Sequence, residues 1–319
     1  MEKLPLESEV LDWFDTLSNW GRWGDDDQRG TLNLITPEVR RRAARLVREG
    51  IRVSCSRDIE SSWAGPMHRF MSATGQGLTE HNRVLPPPIK YHEGDGHRGA
   101  WAGEHISLPV HYQTHVDALC HMFWDGRMYN GKSAALVTSE RGATVNDITA
   151  ARDGVFTRGV LLDIAATRGV KWLEPGDGVF PEDLEAAEER VGLRVSEGDA
   201  LLLRTGNGRR MRTGGSRGSD DAGQAGFHAA CLPWLHERGI AVTATDTAHD
   251  VLPSGYDVIP LPLHYIGIAA MGLCTIDNAD FEEVASICVE LDRWDFLFTF
   301  DPLRIVGGTG SPVNVVATF

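Results

Sequence analysis

The segment HYQTHVDALCH, residues 111–121, decides the fold and the site that this sequence predicts. His111, His115, Asp117 and His121, all able to bind metal or carry protons, occupy odd-numbered positions. Side chains of an extended strand alternate between two faces, so all four would project to one side. On a helix, Asp117 would lie about 200° round the axis from His115, at roughly 100° per residue. Imidazole and carboxylate suit zinc or another first-row divalent cation. The segment therefore predicts a metal site built on a strand and its exit.

The alternative is a chance cluster, because the chain has 12 histidines among 319 residues. Asp117 argues for the metal site, since the residues around it at 116–120 are otherwise apolar. A buried carboxylate is costly unless it is paired or binds a metal. Cys120 has an even-numbered position on the opposite face of the strand, which predicts a small core residue rather than a nucleophile or a ligand.

Composition limits the classes of partner. The chain has 42% hydrophobic and 24% charged residues, as an ordinary soluble globular protein does. A net charge of -14 argues against nucleic acid or an anionic membrane as a partner, but it allows a small anionic substrate in a cleft. Five scattered cysteines without a CxxC pair, and an acidic N-terminus without an apolar signal segment, predict a cytoplasmic protein. No apolar run approaches the roughly 20 residues of a membrane helix.

Predicted helices and strands alternate along most of the chain, which indicates an α/β fold. Helices are predicted at 36–49, 181–191, 228–239 and 280–289, and strands at 155–164, 199–204, 240–245 and 294–302. The strands are apolar throughout, as is typical of sheets covered by helices. The segment 61–104 is rich in Gly, Pro, His and Ser and is too long for a neutral connector, so we predict a functional lid or an oligomer arm there.

The segment 111–121 resembles the signature of the Putative cyclase family, which includes bacterial kynurenine formamidase and isatin hydrolase. That signature is approximately His-x-Gly-Thr-His-x-Asp-x-Pro-x-His. It is matched here by His111, Thr114, His115, Asp117 and His121. Gln113 stands where Gly is usual, and Leu119 where Pro is usual. The resemblance extends to WGDDDQRGTLN at 23–33 and to residues 246–247, 262–264 and 272–277, so it covers nearly the whole chain.

The resemblance implies a swivelling β/α/β fold with mixed sheets covered by helices. It implies a single domain over 1–319, with a helical N-terminal extension at 1–50 and the irregular arm or lid at 61–104. It also implies subunits that associate, as a homodimer or a higher homo-oligomer. The implied activity is metal-dependent hydrolysis of an amide, lactam or ester of a small, cyclic or aromatic substrate.

The resemblance also assigns site residues. His111, His115 and Asp117 are expected to bind the first metal, and His121 to transfer protons. His264 falls on the second histidine position of the family, and Asp277 falls where two-metal members carry a glutamate. Aspartate is one methylene shorter than glutamate, and a shorter side chain reaches two ions less easily, so it is open whether one or two ions bind. The ligand types permit zinc or manganese.

The chemistry of the residues agrees with that assignment. A divalent ion lowers the pKa of its bound water to about 7, and His121 could take the water's proton and pass it to the leaving group. The alternatives for His121 are a further ligand or a hydrogen-bond partner of a ligand. For His264, the alternative is a loop histidine beside Pro262.

The substrate pocket is less defined by the sequence. Six aromatic residues before or near residues 111–121, which we call the metal segment, could line the pocket or could pack in the core. They are Trp20, Trp23, Trp63, Phe70, Trp101 and Trp124. By resemblance, Trp23 is the candidate for the substrate site. Arg204, at the end of a predicted strand, could bind a substrate carboxylate or could pair with one of the chain's acidic residues.

Three functions remain open at this point. The first is the metal-dependent hydrolase. The second is a metal-dependent cyclase or lyase that acts on a polyketide-like compound. The third is a metal-stabilised binding protein without turnover, although a purely structural zinc site tends to be closed and rich in cysteine.

Overall fold

The structure is a computed structural model that describes residues 4–59, 68–72, 103–214 and 223–319. Its α-helices are α1 (Glu7–Thr16), α2 (Pro37–Ala44), α3 (Ile164–Thr167), α4 (Pro181–Val191), α5 (Asn207–Arg212), α6 (Cys231–Glu237) and α7 (Glu282–Leu291). Its strands are β1 (Arg52–Ser54), β2 (His68–Ser72), β3 (Gly103–Ser107), β4 (His115–Asp117), β5 (Val137–Thr138), β6 (Gly142–Ala143), β7 (Val155–Asp163), β8 (Gly178–Val179), β9 (Ala200–Arg204), β10 (Gly226–Phe227), β11 (Val242–Thr245), β12 (Cys274–Asp277), β13 (Asp295–Phe300), β14 (Gly310–Pro312) and β15 (Val316–Thr318). A π-helix covers Leu263–Ala270, and short 3-10 helices cover Gly30–Leu34, Tyr129–Gly131, Ala134–Leu136 and Ile148–Ala151.

Nine strands form one mixed sheet in the order β1-β15-β13-β7-β9-β11-β12-β4-β14. The four central strands β7, β9, β11 and β12 run parallel to their neighbours within this group. The pairs on either side of this group are antiparallel. The prediction of an α/β fold with a mixed sheet is confirmed. Ligands of such sheets bind beyond the carboxyl ends of the parallel strands, where β11 and β12 end at Thr245 and Asp277.

Helices α4 and α2 form where local signals in the sequence predicted them. Helix α4 spans the predicted 181–191, since Pro181 occupies its first turn and Gly192 ends it in a left-handed conformation with φ 63°. At the start of α2, the Thr36 hydroxyl accepts a hydrogen bond from the Val39 N–H. That helix ends at Ala44 rather than at 49.

The sheet separates two apolar cores. Strand β9 shows the division, since Leu202 packs in one core while Leu201 and Leu203 pack in the other. The first core includes Val116 and Cys120 from the metal segment. Cys120 is therefore the buried core residue that its even position predicted. The opposite face, where His115 and Asp117 project, borders the second core.

The N-terminal residues pack on this body. Residues 4–50 contain α1, the 3-10 helix at Gly30–Leu34 and α2, and Val10 of α1 is buried in the second core. The predicted lid or arm at 61–104 lies mostly outside the described residues. Its described parts are β2 and the first two residues of β3, and these two strands pair antiparallel. Among the described residues, no helix is long and apolar enough to cross a membrane.

Candidate metal centre

The centre is built on two antiparallel strands. His115 and Asp117 lie on the same face of β4, and Asp277 of β12 is the direct cross-strand partner of His115. The strand is shorter than the sequence predicted, because Gln113 has φ 57° and this left-handed residue ends the extended conformation. His111 therefore lies in the turn before β4, and His121 lies after it. Both still reach the side of the sheet that carries Asp117.

Four buried residues lie together at this edge of the sheet, and we call them the inner quartet: His115, Asp117, His264 and Asp277. His115 Nε2 is 3.5 Å from Asp117 Oδ1 and 3.8 Å from Asp277 Oδ2. His264 Nε2 is 3.2 Å from Asp277 Oδ2 and 3.8 Å from Asp117 Oδ2. Ligands at about 2.1 Å from a tetrahedral zinc ion are spaced by about 3.4 Å. The inner quartet thus has the donor types that a divalent ion prefers, and these four donor distances are close to the spacing around such an ion.

The other ring nitrogen of each quartet histidine is held by a hydrogen bond. His115 Nδ1 donates to the backbone carbonyl of Gln113 at 2.9 Å, and His264 Nδ1 donates to Asp250 Oδ2 at 2.5 Å. Asp250 also accepts the Leu263 N–H at 2.7 Å, so it fixes the start of the π-helix that carries His264. Such bonds leave Nε2 of both rings free to bind metal. His264 is therefore a buried residue of the π-helix beside Asp117 and Asp277, and not a loop histidine.

Two further histidines flank the quartet. His111 Nδ1 is 2.9 Å from Asp117 Oδ1, and its Nε2 is 3.0 Å from the Thr309 hydroxyl. His249 Nδ1 is hydrogen-bonded to Asp277 Oδ1, and its Nε2 is 2.9 Å from the Thr243 hydroxyl. Donor atoms of His111, His115 and Asp117 form one group within 4.8 Å, and those of His249, His264 and Asp277 form another.

Sequence reasoning missed His249 and Asp250. They follow β11 as a His-Asp pair close behind the 246–247 segment, and that proximity to a strand end was the available signal. Neither residue has the regular spacing that made residues 111–121 conspicuous.

Charge in the cluster also favours a cation. Burial raises the pKa of the Asp117 and Asp277 carboxyls, but hydrogen bonds from His111 and His115, together with the charge of His115, hold the pKa of Asp117 well below its usual value. The pKa of Asp277 is lowered likewise, by the charges of His249 and His264 and by hydrogen bonds to them. Burial lowers the pKa of His115, yet Asp117 outweighs this and raises it to about 9. Two buried carboxylates therefore demand positive charge, which a divalent ion would supply in place of protons on the imidazoles.

The sequence model of the Putative cyclase family matches residues 20–249, which is most of the chain. The chain belongs to this family. A crystal structure described as a novel cyclase shares 30% identity with a TM-score of 0.81, covering 96% of this chain and 99% of that chain. Among curated proteins, none matches the sequence significantly.

Isatin hydrolases share the fold of this cyclase-family chain. Isatin hydrolase A from Labrenzia aggregata, bound to benzyl benzoate, has a TM-score of 0.53 at 20% identity and covers 86% of this chain and 94% of its own. An isatin hydrolase bound to the product analogue thioisatinate has a TM-score of 0.52 at 18% identity, with coverages of 83% and 91%.

In this cyclase-family protein, His121 lies against the centre without entering the inner quartet. Its ring stacks on that of His111, with centroids 3.9 Å apart and an angle of 22° between the planes. Burial lowers the pKa of His121, and the charge of Asp117 opposes this only in part. A neutral imidazole in this place can accept a proton near neutral pH.

Three of the aromatic candidates, Trp20, Trp23 and Trp124, have described side chains, and each contacts another part of the protein. Trp20 donates its indole N–H to the Ala269 carbonyl at 2.7 Å, and the Trp124 ring stacks on Phe14 at 4.5 Å. Trp23 is half-buried against the first core, with the Arg22 guanidinium 4.8 Å from its ring. Trp63, Trp101 and the side chain of Phe70 lie outside the described residues.

Arg204 forms ion pairs with two acidic residues of the protein, Asp163 and Glu282. Its guanidinium is 2.9 Å from Asp163 and 2.7 Å from Glu282, and the residue is 5% exposed. Of the two interpretations that the sequence left open, this arrangement favours internal pairing. The role of Arg204 in binding a substrate carboxylate stays a prediction.

Proposed function

We propose that this protein is a metal-dependent hydrolase that cleaves an amide, lactam or ester bond of a small, cyclic or aromatic substrate. The observation that carries the proposal is the inner quartet, in which each buried imidazole Nε2 lies 3.2–3.8 Å from an oxygen of both buried carboxylates. Membership of the Putative cyclase family and the fold shared with isatin hydrolases support the same conclusion.

The proposed metal ligands are the inner quartet together with His111. His111 qualifies because its Nδ1 lies beside Asp117 Oδ1, and that oxygen also takes part in the quartet spacing. Gly310 makes room for the His111 ring, since a Cβ at this position would lie 2.6 Å from His111 Cε1. Nitrogen and oxygen donors without a thiolate suit zinc or manganese.

The bound ion would lower the pKa of a water molecule to about 7 and polarise the scissile carbonyl. His121 would receive the proton of that water at a ring nitrogen and return it to the leaving nitrogen or oxygen. Stacking on His111 holds the His121 ring at the centre. The low dielectric around the buried quartet strengthens each of these electrostatic interactions.

A second candidate is a metal-dependent cyclase or lyase. The family description and the 30%-identical structure described as a novel cyclase favour it. Both reactions would use a metal ion that polarises a carbonyl, so they differ in whether an oxygen atom from water enters the product.

Reaction in water enriched in oxygen-18 tests the proposal directly. Protein loaded with zinc or manganese would be assayed against a panel of lactams, formyl amides and aryl esters, with chelator-treated protein as the control. Hydrolysis places one labelled oxygen in the acid product, and only with the loaded protein. Metal-dependent product formation without label would establish the cyclase or lyase instead, and metal binding without turnover of any panel member would contradict the hydrolase.

A further inference from the structure

We infer that His249 is a positioning residue of this centre, which holds Asp277 so that only Oδ2 faces the inner quartet. The inference rests on the proposed metal-binding function. Asp277 Oδ2 makes the quartet distances to His115 and His264. Asp277 Oδ1 points the other way and is hydrogen-bonded to His249 Nδ1.

The surroundings of His249 fix its ring. The residue is fully buried, and its Nε2 lies 2.9 Å from the hydroxyl of Thr243. Thr243 is the neighbour of Thr275 in the parallel pair of β11 and β12, so its hydroxyl belongs to the same sheet face as Asp277. If the hydroxyl donates to Nε2, the ring proton resides on Nδ1 and donates to Asp277 Oδ1.

The backbone at His249 is held in an unfavourable conformation. Its φ is 49°, which non-glycine residues adopt at a cost. The His249 carbonyl accepts a hydrogen bond from the Phe227 N–H at 2.7 Å. The backbone at Gly226 also lies close to this carbonyl, and a Cβ at Gly226 would be only 2.2 Å from the His249 oxygen. Strained residues that the surrounding structure over-determines cluster at functional sites.

The comparison with His111 shows why positioning, rather than ligation, is assigned to His249. His111 lies beside an oxygen of Asp117 that also faces His115. His249 lies beside the oxygen of Asp277 that makes none of the quartet distances. An aspartate held in this way offers one oxygen to metal, because the other accepts the imidazole N–H. Such hydrogen bonds to a ligand set its orientation and its basicity.

Metal affinity and cobalt spectroscopy test this role without relying on activity. The variants are His249→Ala, His249→Asn and Thr243→Val, with Thr157→Val as the matched control. Thr157 is also a buried threonine of the central sheet, but its hydroxyl donates to the Gly198 carbonyl. Metal per chain would be counted, the dissociation constant measured by chelator competition, and the visible absorption of the Co²⁺ form recorded.

We expect His249→Ala to weaken binding by about 10–100-fold and to shift the Co²⁺ bands, without lowering the number of sites. Asn places an amide N–H near the position of Nδ1 and tolerates a positive φ, so His249→Asn should recover most of the affinity. Thr243→Val should weaken binding less, and Thr157→Val should leave it unchanged. Thr243→Val and His249→Asn keep the test valid if the alanine variant does not fold.

Two results would overturn the inference. Wild-type affinity and spectrum in His249→Ala would mean that His249 does not position Asp277. A fall from two ions to one, with the remaining ion bound as before, would make His249 a ligand of a second ion. Wild-type protein that binds no metal would reject the proposed function itself, whereas the first two results leave that function standing.

Discussion

His115 and Asp277 lie directly opposite each other in the antiparallel pair of β4 and β12, with His115 Nε2 3.8 Å from Asp277 Oδ2. Cross-strand neighbours have their Cβ atoms about 4.5–5.5 Å apart, so side chains of this size meet above the sheet. The pairing joins the metal segment at 111–121 to a strand near the other end of the chain. The centre therefore depends on the register of these two strands.

Substitution of His115 tests that dependence. His115→Ala removes a proposed ligand and leaves Asp117 and Asp277 with less positive charge nearby, so metal content and metal-dependent activity should both be lost. Metal analysis of the purified protein measures this. His236→Ala, which changes a half-buried histidine on α6, should retain its metal. A fully active, metal-free His115→Ala would contradict the centre.

His121 should separate catalysis from metal binding. His121→Gln should lower turnover by roughly 10²–10⁴-fold, as expected for the loss of a proton-transfer group, because the ring lies against His111 rather than in the quartet. Its metal content should equal that of the wild type. Loss of the ion in this variant would instead identify His121 as a ligand.

Gln113 should be a position where glycine stabilises the fold. Its φ of 57° destabilises the folded state by roughly 1–2 kcal/mol for a residue with a Cβ. Glycine avoids this cost, but it also makes the unfolded chain more flexible, which offsets part of the gain in stability. Gln113→Gly should raise the free energy of unfolding by about 0.5–1 kcal/mol, measured by urea denaturation of the metal-free protein. Gln113→Ala keeps the Cβ and should give no such gain.

Arg204 should matter for stability rather than for substrate affinity. Arg204→Met leaves the buried Asp163 without its ion-pair partner, which should cost about 3–5 kcal/mol in urea denaturation, whereas the half-buried Glu282 keeps Arg209 nearby. Arg212→Met removes an exposed pair with Asp280 and should cost less than about 1 kcal/mol. A raised KM with unchanged stability in Arg204→Met would restore the interpretation as a substrate ligand.

His228 should make the protein less stable in mild acid. Burial lowers its pKa, and its Nδ1 accepts the Ala230 N–H at 3.2 Å. Its stabilising contribution is therefore complete above the unfolded pKa of about 6.5 and is lost as pH falls below that value toward the folded pKa. Between pH 7 and 5, His228→Asn should lose less unfolding free energy than wild type, measured by urea denaturation at each pH. An equal loss in both proteins would contradict this.

The sequence predicted the elements whose signals are local. Pro181 and Gly192 bound α4 at the residues that the sequence indicated, because proline and glycine act through the φ of single residues. The apolar run at 199–204 became β9 of the central sheet. The alternation of His115, Val116 and Asp117 placed the two polar side chains on one face, since that alternation is a property of any strand.

The sequence did not determine how long β4 is. Their odd-numbered positions suggested that His111 and His121 extend from the same strand as His115, but the left-handed Gln113 interrupts the extended conformation before β4 begins. Both histidines nevertheless reach Asp117 or its neighbours through turns. Turn geometry of this kind depends on what each turn packs against, and residue spacing contains little information about it.

By itself, the sequence determined the donor types, their common face on β4 and the helices and strands of the α/β fold, because these follow from side-chain chemistry and from backbone preferences of neighbouring residues. Only the tertiary structure decided that β4 lies between β12 and β14, and therefore that His264 and Asp277 complete the cluster. It also decided that His249 and Asp250 lie in hydrogen-bonding contact with Asp277 and His264. Those contacts join residues far apart in the chain, and they form because burying both cores fixes one strand order and one register.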